Sequence, residues 1–147
     1  MNKAIYFDMD GTITDLYGVE NWLDCIIAEN AMPYEIAKPL VNMNVLARTL
    51  NKLIKDGWTV NIISWLARDS KPDYDNKVIK AKRDWLKRHL ASVQFTDVNI
   101  VPYGTKKALF AKADVNILFD DEERNRKEWN GTAYNVNNII ETLKALL

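Results

Sequence analysis

Ala4-Ile5-Tyr6-Phe7-Asp8-Met9-Asp10-Gly11-Thr12 decides the fold: four apolar residues run straight into two aspartates spaced by one residue, then a glycine and a threonine. An apolar run without polar alternation suits a strand covered on both faces, as in a parallel sheet flanked by helices. Outward from it, similar runs occupy 59–63, 98–101 and 115–119, and 132–136 offers a fifth strand. The segments between them carry helical spacing. Leu46, Leu50, Leu53 and Ile54 form one stripe that Gly57 can stop. Val78, Ala81 and Trp85, supported by Leu86 and Leu90, form a second, with the surrounding lysines and arginines read as a solvated face. Ile139, Ile140, Leu143, Leu146 and Leu147 form a third, behind asparagines suited to its N-cap. The expectation is an α/β, Rossmann-like parallel sheet flanked by helices.

Between the first strand and the helix that begins near Val45 lies more chain than a simple connection needs. Val19, Trp22, Leu23, Ile26 and Ile27 share a helical stripe, Met32-Pro33 interrupts it, and a second short helical segment is expected over 34–41. Residues 17–44 therefore read as a small helical cap over one end of the sheet, inserted within a single domain of residues 1–147. With 48% apolar residues, the chain has material for one real core. Twenty basic residues balance twenty acidic ones, so no overall field draws the molecule to nucleic acid or an anionic membrane, and neither is expected as a partner. The lone cysteine, Cys25, excludes an internal disulfide framework, and the first residues do not resemble a signal peptide; the expected location is the cytoplasm. No apolar run reaches the length of a membrane span.

Open parallel sheets bind ligands beyond the carboxyl ends of their strands. There the sequence turns polar: Asp8 to Thr12 after the first strand, Ser64 after the second, Gly104-Thr105-Lys106-Lys107 after the third and Asp120-Asp121 after the fourth. Two carboxylates brought to about 4 Å repel by roughly 4 kcal/mol at an effective dielectric near 20. A divalent cation relieves this, and an all-oxygen donor set suits Mg²⁺ better than zinc. His89, the one histidine, falls in mid-helix and is not expected to act. Cation and lysine together suit a dianionic phosphate. Asp8 would take the phosphoryl group covalently, and Asp10 would protonate the leaving oxygen and then activate water. Ser64 and backbone amides, with Gly11 and Thr12 in the turn, would hold the phosphate.

Asp8-Met9-Asp10-Gly11-Thr12 resembles the DxDGT signature of the haloacid dehalogenase-like (HAD) superfamily. Ser64 resembles its second motif, Lys106 or Lys107 its third, and Asp120-Asp121 its fourth, in family order over residues 4–121. The resemblance implies Asp8 as nucleophile and Asp10 as acid/base. It also implies Mg²⁺ held by Asp8, the Asp10 carbonyl and Asp120, with Asp121 supporting the metal's surroundings. The Gly-Thr-x-Lys spacing favours Lys107 over Lys106. The 17–44 insertion resembles a reduced cap, and the adjacent aspartates resemble those of small 5′(3′)-deoxyribonucleotidase-like and phage-type members. A small phosphorylated metabolite such as a (deoxy)nucleoside monophosphate is thus the expected substrate. Tyr17, Trp22, Trp65 and Tyr103 near the mouth could stack on a base, with Tyr17 and Trp65 foremost. The alternatives are a non-catalytic phosphate-binding or regulatory protein on the same fold, and a phosphatase of nucleic-acid ends.

Overall fold

The computed structural model describes residues 1–147. Five parallel strands, β1 (Lys3–Phe7), β2 (Trp58–Trp65), β3 (Asp97–Val101), β4 (Val115–Phe119) and β5 (Thr132–Tyr134), stand in the order β3-β2-β1-β4-β5. The α/β architecture agrees with the sequence expectation. Phe7 pairs with Ile62 on one side and Phe119 on the other, so the residues following β1 and β4 emerge side by side. Here the strand order reverses, with β2 and β3 on one side of β1 and β4 and β5 on the other, which opens the crevice in which such sheets carry their sites.

Alternation along the strands divides the core. Ile5, Phe7, Val60, Ile62, Ile117 and Phe119 face one way, against Leu46, Leu50 and Leu53 of α3 (Met43–Lys55), Trp85 of α4 (Pro72–His89) and Leu143 of α6 (Ile139–Lys144). Ala4, Tyr6, Ile63 and Leu118 face the other way and meet Trp129. The α3 helix starts where the Asn42 side chain accepts from the Val45 amide, and it ends at Gly57, whose φ of +97° closes the last turn.

The 17–44 region contains α1 (Trp22–Ile27) and α2 (Met32–Ile36). Leu16, Ala31 and Tyr34 from this part of the chain pack on Leu66, Tyr74, Val78 and Ala81, seating it on the first half of α4. Two local expectations are corrected. Met32-Pro33 opens α2 rather than only breaking a helix, because proline in a first turn loses no hydrogen bond. The expected helix over 34–41 stops at Ile36. Pro39 biases Lys38 away from helical geometry, and residues 38–40 run extended against the loop after β1 (Asp15 amide to Lys38 carbonyl 2.8 Å, Leu40 amide to Ile13 carbonyl 2.9 Å). A further helix, α5 (Glu123–Glu128), follows β4; it has no apolar stripe and buries only Asn125. No helix is long and apolar enough to cross a membrane.

Candidate active site

The loop after β1 is wound around one carbonyl. The Met9 oxygen accepts from the amides of Thr12, Ile13 and Thr14, each at 3.0 Å, while the Met9 side chain is buried in the core. Asp8 and Asp10 therefore leave a pinned backbone on the side opposite the core. Gly11 turns the chain at a φ of +78°, and a Cβ there would lie 2.3 Å from an Asp121 carboxylate oxygen.

Both oxygens of Asp8 are held: Lys107 Nζ donates to Oδ1 at 3.0 Å and Thr12 Oγ1 to Oδ2 at 3.0 Å. Lys107, only 2% exposed, also donates to Asp120 Oδ2 at 2.8 Å. Lys106 is on the surface. Asp120 takes further bonds from the Glu122 amide (2.9 Å) and Asn125 Nδ2 (3.1 Å). Asp121 is the more open of the adjacent pair and contacts Thr12. Carboxylate oxygens from Asp8, Asp120 and Asp121 all lie within 4.8 Å of one another.

Asp10 faces a second lysine. Lys82 Nζ donates to Asp10 Oδ2 at 2.9 Å, Ser64 Oγ at 2.7 Å and the Trp65 carbonyl at 2.8 Å. Ser64 is fully buried behind the cavity wall, with its Oγ toward Lys82. Sequence reasoning missed Lys82 because it assigned the lysines of α4 to a solvated face. The signal was present: position 82 is four residues beyond Val78 and three before Trp85, within the buried stripe, where an ammonium group requires partners.

Four carboxylates (Asp8, Asp10, Asp120, Asp121) face two ammonium groups (Lys82, Lys107), an excess of two negative charges if all are ionised. Burial, with that excess behind it, raises the carboxyl groups. Burial, then the charge of Asp8, pushes Asp120 up to about 6. Burial, then hydrogen bonding to and the charge of Asp8, pushes Asp121 up to about 8. Burial raises Asp10 despite Lys82 beside it. Burial pulls Lys107 down, but Asp8 and Asp120 outweigh it and leave the ammonium above its usual range.

The residues fit a hard divalent cation. The donor set is oxygen alone, the surplus charge is that of one such ion, and the buried Asn125 Oδ1 has no partner within the protein. Sequence analysis did not single out Asn125, since an asparagine in a charged segment carries no pattern.

Above the carboxylates opens a cavity of about 440 Å³. Its lining includes Tyr17, Trp22, Leu23 and Ile26 from the 17–44 region, Trp65 at the end of β2 and Tyr103 after β3. Tyr17 and Trp22 meet edge to face at 4.9 Å, and Trp65 and Tyr103 meet at 5.0 Å. Trp65 is fixed by its indole N–H to the Thr105 carbonyl at 2.9 Å. Tyr17 is half exposed at the rim.

No protein-family model matches the sequence, and no curated protein matches it. Among solved structures, the fold is similar to D,D-heptose 1,7-bisphosphate phosphatase from Burkholderia thailandensis, with a TM-score of 0.57 and 11% identity over 99% of this chain and 98% of that one. The corresponding enzyme from B. bronchiseptica, complexed with magnesium and phosphate, matches with a TM-score of 0.57 and 10% identity over 99% of both chains. The HAD domain of the effector protein Lem4 from Legionella pneumophila matches with a TM-score of 0.50 and 16% identity over 99% of this chain and 94% of that one. The chain thus shares the fold of these proteins, and its acidic cluster could hold a metal where its sheet opens.

Proposed function

We propose that this chain is a Mg²⁺-dependent phosphatase of the HAD superfamily that works through a phosphorylated Asp8. The observation that carries the reading is the cluster itself: Asp8 is held at both oxygens, 3.0 Å from Lys107, and shares an oxygen-lined cation site with Asp120 and Asp121. Asp8, Asp120 and Asp121, with the backbone carbonyl of Asp10, would hold the ion; when bound, it neutralises charge on the phosphoryl oxygens and so admits an anionic substrate.

The residues divide the reaction between them. Lys107 supplies a fixed positive charge beside Asp8, so that a phosphate dianion can approach a carboxylate. An Asp8 oxygen attacks phosphorus while the ester oxygen departs, taking a proton from Asp10. Burial raises Asp10, which enlarges the protonated fraction needed for that step. With the alcohol gone, Asp10 accepts a proton from water as the water attacks phosphorus. Inorganic phosphate leaves, and Asp8 and Asp10 are restored. Of the groups expected at the phosphate, the Gly11 and Thr12 amides are already taken by the Thr14 and Met9 carbonyls and Ser64 lies behind the cavity wall, so Lys107, which lines the cavity, is the donor assigned to the phosphate oxygens.

For the substrate we propose a (deoxy)nucleoside monophosphate. Two aromatic pairs line the same cavity as the carboxylates. Stacking a base there is worth roughly 1–3 kcal/mol. The zero formal charge supplies no basic track for a polynucleotide. The unpaired Cys25 is compatible with a reducing, cytoplasmic setting. A panel of nucleoside monophosphates, sugar phosphates and 5′-phosphorylated oligonucleotides tests this. Phosphate release with Mg²⁺ is expected to be fastest for the nucleoside monophosphates. Preference for a sugar phosphate or an oligonucleotide end would replace the substrate assignment, and no release from any of them would favour a binding role.

A further inference from the structure

The phosphatase reading uses Lys107, which lies beside Asp8; it leaves unexplained a second buried ammonium group at Asp10. Lys82 is 1% exposed on the face of α4 that also buries Val78, Ala81 and Trp85. An ammonium has three hydrogens to donate, and all three are placed: Asp10 Oδ2, Ser64 Oγ and the Trp65 carbonyl, at 2.9, 2.7 and 2.8 Å. The ring of Tyr34, 5.1 Å away, covers another side. Those contacts join the loop after β1, the end of β2, α4 and the cap at one atom. An apolar side chain of similar length would fill the same space without the cost of desolvating a charge. Lys82 is therefore hard to explain as packing alone.

We propose that Lys82 is a positioning residue for catalysis: it fixes the Asp10 carboxyl toward the leaving oxygen. Asp10 is held at its second oxygen only by Thr14 Oγ1 at a long 3.4 Å, so Lys82 provides the firmer constraint. Lys82 touches neither the Asp8–Asp120–Asp121 cluster nor Lys107, so its loss should leave the cation site and substrate binding largely in place.

The inference rests on the phosphatase reading, and the test separates the two. Wild type, Lys82→Met and Lys82→Arg are compared on 4-nitrophenyl phosphate, whose leaving group departs readily, and on phenyl phosphate, whose leaving group needs a proton from Asp10. The constant kcat/KM reports the step that expels that group. A mispositioned acid costs on the order of 10²-fold on phenyl phosphate, typical of losing general-acid assistance, and less than about tenfold on 4-nitrophenyl phosphate. KM should stay within about twofold, as for a group acting only in the transition state. Lys82→Arg keeps the charge and should recover part of the loss; it gives the same substrate ratio should the methionine variant not fold. Equal losses on both substrates, or a change confined to KM, would overturn the positioning role while leaving the phosphatase reading standing. An inactive wild type would overturn the reading and the inference with it.

Discussion

At the scale of single residues, the account depends on where a few carboxylates and lysines are held. Gly11 is the sharpest case, because its left-handed φ and the 2.3 Å approach of a Cβ to Asp121 act together. Gly11→Ala should cost about 1–2 kcal/mol of stability from the backbone alone, seen as a melting temperature lower by roughly 2–8 °C. It should also weaken Mg²⁺ binding by displacing Asp121, which calorimetric titration would register; unchanged affinity would mean Asp121 does not serve the ion. Asp10→Asn should be inactive and accumulate phosphorylated Asp8 when given a substrate with a good leaving group, detectable as an added phosphoryl mass. At this scale Asp8, Asp10, Thr12, Asp120 and Asp121 are legible in the sequence because they follow apolar strands directly. Lys82 and Asn125 are not, because each lies within a helix where neighbouring charges disguise a buried position.

At the scale of elements, the four longer strands and the α3 and α4 helices follow from apolar runs and helical stripes. The short pieces do not. The α5 helix buries a single asparagine and is held outside by Arg124–Glu128 and Lys127–Glu123 pairs, so no hydrophobic period announces it. The end of α2 depends on Lys38-Pro39 pairing with the loop after β1, a long-range contact that local spacing does not encode. Among the hydrogen bonds that join residues 17–44 to the rest of the chain, the one from the Trp85 indole to the Ala37 carbonyl at 2.8 Å is buried. Trp85→Phe keeps an aromatic ring but leaves that carbonyl without its donor, which should cost about 1–3 kcal/mol in urea unfolding. A loss well below that range would indicate that water replaces the indole at the Ala37 carbonyl.

Across the whole molecule, the excess negative charge at the site links stability to pH and cation. Asp120 and Asp121 titrate near 6 and 8 in the folded protein, above the ordinary 3.8. Between those values the folded state binds more protons than the unfolded one, so stability falls as pH rises. Their contribution is fully present below about 3.8 and is lost through 6 and then 8. His89, lowered by burial, works in the opposite sense, but only below its ordinary 6.5. In chelator the melting temperature should therefore drop between about pH 7 and 9, above the histidine's window. Asp121→Asn should flatten the drop, and saturating Mg²⁺ should offset it by binding the ionised cluster. A melting temperature that rises over that interval in chelator would contradict the placement of these groups.

The most direct test of the central claim is Mg²⁺-dependent phosphate release from an aryl phosphate by wild type and Asp8→Asn side by side, with folding of both checked by circular dichroism. The account predicts turnover by wild type and a loss of at least about 10³-fold in the variant, as expected when the nucleophile itself is removed. A folded Asp8→Asn protein that retains wild-type turnover would show that Asp8 is not the attacking group.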